Sequence, residues 1–304
     1  MSRTPSASYD LLLCSPGRVV ENHSSGSSSL CNIRGDSIIT IPLAVTTSVK
    51  PSVSLEAQAY RLATELHAPL VPRLGRPLPR IFEASGAERL LIAGADHLRL
   101  RDRATGTEYY FHPNMFLIRG SNVLRGVPDH FLEATGLELG ERLLDCTLGF
   151  ASESALASLV VGETGLVVGL ESVPALAAVA RIGVQEFALP NAVLRAALRR
   201  VQVVAADHSD YLRGCEDCSF DVVYFDPFFE KRLAGSEASV SPLFVFGNPA
   251  PLGPAAITEA CRVARRSVVI KHPRQEPLPA EVSARVTETV GSRKSRLVYS
   301  VIKV

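Results

Sequence analysis

The sequence predicts an α/β protein in which a small α+β domain precedes a doubly wound, mostly parallel sheet. From Leu143 onward, continuous apolar strand-like runs alternate with helical stretches, the pattern of a parallel sheet that helices cover on both faces. Before Leu143, short strand-like segments are separated by turn residues and accompanied by an amphipathic helix. A hydrophobic content of 46% and a charged content of 21% suit such a globular chain and exclude a disordered or fibrous one.

The N-terminal part of the chain divides into a tail and a small domain. Residues 1–42 are rich in serine and show no lasting periodicity, which predicts a flexible extension. AVTTSV then predicts a strand, and SLEAQAYRLATELHAPLV predicts an amphipathic helix with Ser54 as its N-cap. Three short strands follow in ERLLIAG, HLRLRD and EYYFH. We therefore expect an α+β domain over residues 43–130 and the parallel sheet over residues 131–304.

Five apolar runs mark the strands of the second domain: RLLDCT, GLVVGLE, VQVVAAD, FDVVYFD and RSVVIKH. Helical segments connect the first three, the short HSDYLRGC leads to the fourth, and PAAITEACRVA precedes the fifth. The first four runs each close with an acid, namely Asp145, Glu171, Asp207 and Asp226. Because ligands of such folds lie beyond the carboxyl ends of the strands, these acids predict a binding site at that edge of the sheet.

The turn after the first run has the features of a ligand-binding loop. The strand ends at Asp145 and turns through Thr147 and Gly149 into a helix that begins near Ser152 and Glu153. The glycine would let a ligand approach the backbone, and the helix start offers free N–H groups. A tight connection that binds no ligand is the alternative.

The second acid indicates which ligand this loop would bind. Glu171 closes the next strand about twenty residues on, where a carboxylate can accept both hydroxyls of a ribose. The turn TLGFASE has one glycine in place of the G-x-G-x-x-G of dinucleotide-binding folds. It therefore suits an adenosine ligand without pyrophosphate better than NAD, and S-adenosylmethionine is the expected cofactor.

The third and fourth acids extend the site towards a substrate. Asp207 could accept from an adenine amino group, and an N-cap role for the next helix is the alternative. The carboxylate of Asp226 and the carbonyl of Pro227 could accept the two hydrogens of an exocyclic base amine. Phe229, or Phe228, could stack on the same base. A plain turn is the alternative for Asp-Pro after a strand.

Together these segments resemble class I S-adenosylmethionine-dependent methyltransferases, which have a Rossmann-like domain. With EYYFHPNMFLIRGSNVLRGVPDHFLEATGL upstream, residues 43–304 are similar to the RsmJ-like group, whose characterised members methylate guanosine N2 in bacterial small-subunit ribosomal RNA. The resemblance implies methionine-side contacts by Ser152 and Glu153, ribose contacts by Glu171 and Ser172, adenine-side contacts by Asp207 and His208, and a catalytic role for Asp226.

Two departures from the group's pattern affect what can be carried over. The group commonly has Asp-Pro-Met-aromatic-Pro, whereas Phe228 stands third here and Glu230 fifth, which leaves the target base open. Ser152-Glu153 replaces an Arg-Asp pair of the best-studied branch, so the donor contact at Ser152 must differ.

Basic residues near the C-terminus form either a phosphate-facing surface or a solvated face, and the sequence leaves both open. Residues 262–304 contain ten Lys or Arg against three acids, although the whole chain has a net charge of only +1. Candidate RNA contacts, each with a surface or structural role as the alternative, are His112, Asn114, Arg119, Arg125, Lys271, His272 and Arg274.

The sequence thus predicts methyl transfer to an exocyclic nucleobase amine, with guanine N2 of small-subunit ribosomal RNA as the foremost substrate. DNA adenine N6, a protein glutamine amide, or a non-catalytic RNA-binding role that keeps the fold are the alternatives. No metal is expected, because Cys215 and Cys218 have no second ligand pair. Neither a long apolar run nor a signal peptide is evident, so the protein is expected in the bacterial cytoplasm without a membrane partner.

Overall fold

The computed structural model describes residues 41–228 and 242–304 of the 304-residue chain. The serine-rich extension, apart from its last two residues, lies outside the described ranges, as do Phe229 and Glu230. Thr40–Val304 form one compact unit, within which the boundary between residues 130 and 131 stays a prediction. No helix in the described ranges is both long and apolar enough to cross a membrane.

A four-stranded sheet occupies the N-terminal part of the described chain, in the order β1-β2-β3-β4. Its elements are β1 (Leu43–Thr47), α1 (Val53–Glu65), α2 (Leu78–Ser85), β2 (Arg89–Ala93), β3 (Leu98–Asp102) and β4 (Glu108–Tyr110). β1 runs parallel to β2, whereas β2, β3 and β4 pair antiparallel. The predicted strands and the first helix are present, which gives the α+β character expected from the sequence.

Two details of this part differ from the sequence-based expectation. The N-cap of α1 is Ser52, whose hydroxyl accepts the N–H of Leu55, so the helix starts earlier than Ser54 suggested. The helix α2 was not expected, because prolines surround it. Pro77 precedes this helix and Pro79 lies in its first turn, where a missing N–H costs nothing.

A seven-stranded sheet in the described residues carries the second part of the fold, in the order β10-β11-β9-β8-β5-β6-β7. Its elements follow α3 (Asn114–Leu124) and α4 (His130–Thr135): β5 (Arg142–Asp145), α5 (Ser152–Val161), β6 (Leu166–Glu171), α6 (Pro174–Glu186), α7 (Ala192–Arg199), β7 (Gln202–Ala205), α8 (His208–Gly214), β8 (Phe220–Phe225), α9 (Pro242–Phe246), α10 (Pro254–Val263), β9 (Ala264–Pro273), α11 (Ala280–Ser283), β10 (Glu288–Val290) and β11 (Leu297–Lys303).

The strand order creates a crevice at the expected edge of the sheet. β5 to β9 are parallel, and β11 is antiparallel to both of its neighbours. The chain moves from β5 through β6 to β7 on one side, then returns to add β8 on the other side of β5. Ligands of doubly wound sheets bind at such a reversal point, beyond the carboxyl ends of the strands. The crevice between β5 and β8 is therefore the expected ligand-binding site.

Close packing joins the first part of the chain to the second. Phe111, directly after β4, fills the space beside Gly183 of α6, where an added Cβ would lie 2.1 Å from the ring carbon Cγ. Gly169 of β6 is equally close to Leu148, which lies in the turn after β5: its added Cβ would be 2.3 Å from Cδ1. The turn after β5 therefore packs directly on the sheet through Leu148.

Candidate functional site

The buried side chain of Asp145 holds the turn after β5 through hydrogen bonds. This side chain is 1% exposed, and its two oxygens accept the N–H of Thr147 at 3.0 Å and the hydroxyl of Ser154 at 2.6 Å. Burial raises the pKa of Asp145 to about 7. Gly149 has a φ of +52°, which lets the chain reverse sharply before Ser152 begins α5. Asp145 therefore supports the loop, whereas the sequence suggested a direct ligand contact.

Glu171 at the end of β6 keeps the capacity to bind a ligand. One carboxylate oxygen accepts the N–H of Val173 at 2.9 Å, and no lysine or arginine of the described residues forms an ion pair with it. Burial raises the pKa of Glu171 to about 7. Ser172 follows directly and is partly exposed. A carboxyl group that only backbone amides satisfy suits the hydroxyls of a ribose.

Asp207 and His208 lie at the start of α8. The Asp207 carboxylate accepts the N–H of Ser209 at 2.8 Å, so it caps the helix, which was the alternative to an adenine contact. His208 stands edge-on to Phe225 with ring centroids 5.6 Å apart, and burial lowers its pKa. A contact of either residue with adenine stays a prediction.

The end of β8 meets the end of β5 across the crevice. The N–H of Asp226 donates to the hydroxyl oxygen of Thr147 at 2.6 Å. Pro227 and Phe228 follow and are partly exposed. The Phe228 ring packs against Phe244 of α9, with centroids 5.1 Å apart. The Asp-Pro pair therefore lies at the crevice that the topology indicates, while Phe229 falls outside the described residues.

Five charged side chains form one connected network beneath this crevice: Arg119, Asp129, Glu153, Asp226 and Lys271, here called the charge cluster. Lys271 bridges Asp226 and Glu153 at 2.7 and 3.2 Å. Arg119 contacts Glu153 at 2.7 Å and grips Asp129 through two hydrogen bonds of 2.9 Å. The side chain of Asp226 is 31% exposed, and those of the other four are 12% to 17% exposed.

The electrostatics of the charge cluster favour the charged forms of Glu153 and Lys271 and act differently on Asp226. Burial alone would raise the pKa of Glu153, but the charges of Lys271 and Arg119 lower it to about 2. Burial would lower the pKa of Lys271, and the neighbouring Glu153 and Asp226 carboxylates instead raise it above its ordinary value. Burial raises the pKa of Asp226, opposed by Lys271. Three carboxylates share two cations, so the cluster carries a net charge of −1, with Asp226 at its exposed end.

These contacts revise several roles expected from the sequence. Arg119 and Lys271 were candidates for phosphate, but both are bound to carboxylates in the charge cluster. Glu153 was a candidate for the methionine side of the donor, but two cations hold it. His272 faces away from Lys271, because neighbouring strand residues alternate, and it bonds to Ser300 at 2.9 Å in the protein interior.

The remaining candidates lie at the rim of the site. Arg274 donates to backbone carbonyls between β10 and β11, which gives it a supporting role. Asn114 is exposed at the start of α3, and Arg125 after its end donates to Asn122. Among the described residues, neither Asn114 nor Arg125 contacts the turn after β5 or Asp226, and both side chains are exposed and able to bind a substrate.

Aromatic rings from the first sheet hold the loop after β5. His112 stacks on Phe150 with ring centroids 4.4 Å apart, and Tyr109 stacks on the same ring at 5.1 Å. The Tyr109 hydroxyl also donates to the carbonyl of Gly149 at 3.3 Å. His112 therefore shapes the cleft through the loop. Tyr109 and Phe150 were not identified from the sequence, and the run of consecutive aromatic residues in EYYFH was the available signal for Tyr109.

Comparisons with known proteins agree with this geometry. No family model matches the sequence. The chain is 37% identical over 228 residues to the uncharacterized protein YpiP of Bacillus subtilis (strain 168), which covers 75% of this chain and 87% of YpiP. The S-adenosylmethionine-dependent methyltransferase NGO1261 from Neisseria gonorrhoeae superposes over 86% of this chain and 95% of its own, with a TM-score of 0.55 and 16% identity.

A second solved structure, a SAM-dependent methyltransferase from Aquifex aeolicus, is 20% identical to this chain. The superposition covers 63% of this chain and 99% of the Aquifex protein, with a TM-score of 0.39. The sheet order and the similarity to NGO1261 confirm the predicted fold class. The chain has the Rossmann-like fold of class I methyltransferases and belongs to the same family as YpiP of Bacillus subtilis.

Proposed function

We propose that this protein transfers a methyl group from S-adenosylmethionine to an exocyclic nucleobase amine, with guanine N2 of small-subunit ribosomal RNA as the substrate. One observation carries the proposal. The Asp226-Pro227 pair lies at the β5–β8 crevice, fixed there by the hydrogen bond from the Asp226 N–H to Thr147. A carboxylate and a carbonyl are thereby placed side by side where such folds bind ligands.

The residues of the crevice fit S-adenosylmethionine. Glu171 has hydrogen-bonding capacity left for a ribose, and the turn at Gly149 permits a close approach to the backbone. When bound, the donor supplies a methyl group on a positively charged sulfonium. The charge cluster, with its net charge of −1 and its exposed end at Asp226, is complementary to that charge.

Asp226 and Pro227 supply what the substrate amine lacks. An exocyclic amine on a base is a poor nucleophile, because its lone pair is delocalised into the ring. Two hydrogen-bond acceptors hold both N–H groups and turn the nitrogen lone pair towards the methyl carbon. Proline has no N–H of its own, so Pro227 contributes only an acceptor to the site.

Lys271 acts as a positioning residue for Asp226. It binds one carboxylate oxygen, Oδ2, at 2.7 Å, which leaves Oδ1 for the amine. In the transfer the new N–CH3 bond forms as the S–CH3 bond breaks, and the electron pair of that bond stays on sulfur. The nitrogen then loses one proton, which the partly exposed Asp226 carboxylate can accept and release to solvent.

The test is transfer of radiolabelled methyl from S-adenosylmethionine to small ribosomal subunits that lack their modifications, followed by nucleoside analysis. Label recovered as N2-methylguanosine supports the proposal. Label on adenine in DNA, or on a protein glutamine, would retain the chemistry and replace the substrate. Donor binding by calorimetry without transfer to any of these acceptors would favour a non-catalytic role.

A further inference from the structure

The basic residues near the C-terminus separate into two groups in the structure. Arg262, Arg265, Arg266 and Lys303 pair with carboxylates. Lys271 belongs to the charge cluster, and Arg274 donates to backbone carbonyls. Arg293 and Lys294 differ, because both are exposed on residues 291–296, the segment GSRKSR between β10 and β11 that is here called the basic turn. The basic turn contains no acid.

The strand register places the basic turn at the functional edge of the sheet. Leu297, the first residue of β11, pairs with Pro273, the last residue of β9. The same register pairs Tyr299 with Lys271, which reaches Asp226. Only β9 separates β11 from β8, and adjacent strands lie about 4.8 Å apart. The basic turn therefore ends about 10 Å across the sheet from β8 and about three residues beyond the level of Phe225, which Asp226 follows.

Several hydrogen bonds hold the basic turn in one shape. The Arg274 guanidinium donates to the carbonyl of Ser292 at 2.8 Å and to that of Ser295 at 3.3 Å. The N–H of Ser292 donates to Nε2 of His130 in α4 at 3.3 Å. The turn is thus anchored on its inner side by β9 and α4, while Arg293 and Lys294 remain on its solvent side.

We propose that the basic turn binds the phosphate backbone of the RNA that flanks the target base. The inference rests on the proposed function, since it extends the same site along the substrate. Arg293 and Lys294 are two of the three cations of a pre-shaped loop that contains no acid and lies on the same edge as Asp226, and they match a chain that carries one negative charge per nucleotide. Such contacts set the register of the RNA and do not select the base, which stays with the crevice.

The experiment compares wild type with the double variant R293A/K294A on in vitro transcribed 16S ribosomal RNA. Filter binding from 50 to 200 mM salt gives the affinity and its salt slope, and methylation assays give KM and kcat. Loss of two phosphate contacts should weaken binding about 10-fold at low salt and reduce the slope by about 1.4 to 1.8. KM should rise while kcat and donor affinity stay unchanged.

A matched control removes two exposed cations from the first part of the chain, Lys50 and Arg61. K50A/R61A should behave as wild type. If R293A/K294A matches this control while wild type binds and methylates the RNA, the proposed role of the basic turn is overturned and the proposed function stands. If wild type binds the donor but neither binds nor methylates the RNA, both proposals fall.

Discussion

At the amino ends of the parallel strands, Asp221 and Glu141 each pair with one arginine, whereas at the carboxyl ends three carboxylates share two cations. The amino-end arginines, Arg265 and Arg266, are 59% and 40% exposed. Every member of the charge cluster is less than one-third exposed. Each amino-end acid is thus satisfied by its own partly exposed arginine, whereas each cation of the charge cluster is shared between two carboxylates, so that cluster depends on each of its members. Carboxylates and cations therefore form separate ion pairs at the amino ends of the strands and one connected network beside the candidate site at the carboxyl ends.

Removing one cation from each edge should give the largest difference in stability. Lys271→Met leaves Asp226 without its cation and Glu153 with Arg119 alone, which should cost about 3–5 kcal/mol in the free energy of unfolding. Lys303→Met, which breaks an exposed pair with Glu288 at the amino-end edge of the sheet, should cost less than about 1 kcal/mol. Urea unfolding followed by circular dichroism measures both. Equal losses would mean that burial does not distinguish the two edges.

The packing of two glycines, Gly165 just before β6 and Gly169 within it, provides a second comparison between the two edges of the sheet. An added Cβ at Gly169 would meet Leu148 of the β5 turn, and one at Gly165 would meet Val161 and the carbonyl of Glu141. Gly169→Ala and Gly165→Ala should each cost about 1–3 kcal/mol in unfolding free energy. Only Gly169→Ala displaces the loop of the candidate site, so only this variant should also weaken binding of S-adenosylmethionine in calorimetry. Weaker binding in both would show that the effect is general.

The pH dependence of donor binding should separate Glu171 from the amino-end acids. Because burial raises the pKa of Glu171 from 4.5 to about 7, it is protonated in part of the neutral range and accepts hydrogen bonds better once ionised. Donor affinity should therefore rise a few-fold between pH 6 and pH 8. Glu171→Gln should remove that part of the rise, whereas Asp221→Asn should leave it. An unchanged profile in Glu171→Gln would exclude the ribose role.

The same shift predicts an effect on stability with the opposite sign. A carboxyl group whose pKa is raised by folding binds its proton more tightly in the folded state. Its contribution to stability is therefore present at low pH and declines as the pH rises from about 4.5 through about 7. Glu171→Gln should flatten this part of the profile of unfolding free energy against pH. A profile that stays steep would assign the slope to Asp145, whose pKa is also raised to about 7.

The contrast between edges also explains what the sequence could predict. Buried parallel strands are continuous apolar runs, and each acid follows its run directly, so the fold class and the place of Asp226 and Glu171 were accessible. The charge cluster was not. Arg119 lies 34 residues before Glu153, and Lys271 lies 118 residues after it, distances over which sequence spacing carries no pairing information. Both cations were therefore assigned to phosphate, the common role of an exposed basic residue.

The antiparallel end of the sheet was missed for a related reason. β10 and β11 follow a predicted strand without an intervening long helix, so they do not continue the alternation of strands and helices that identified the rest. Because β11 was not predicted, the position of the basic turn relative to the sheet could not be predicted either. Only the register between β11 and β9 brings it to the edge that carries Asp226.

The central claim is that the Asp226 carboxylate orients a nucleobase amine for methylation, and one rate comparison tests it. Single-turnover methyl transfer to unmodified small ribosomal subunits would be measured for wild type, Asp226→Asn and Asp221→Asn, which alter the two ends of the same strand by the same substitution. We predict a loss of at least about 100-fold for Asp226→Asn with donor affinity retained, and a near wild-type rate for Asp221→Asn. Equal rates for the two variants would contradict the account.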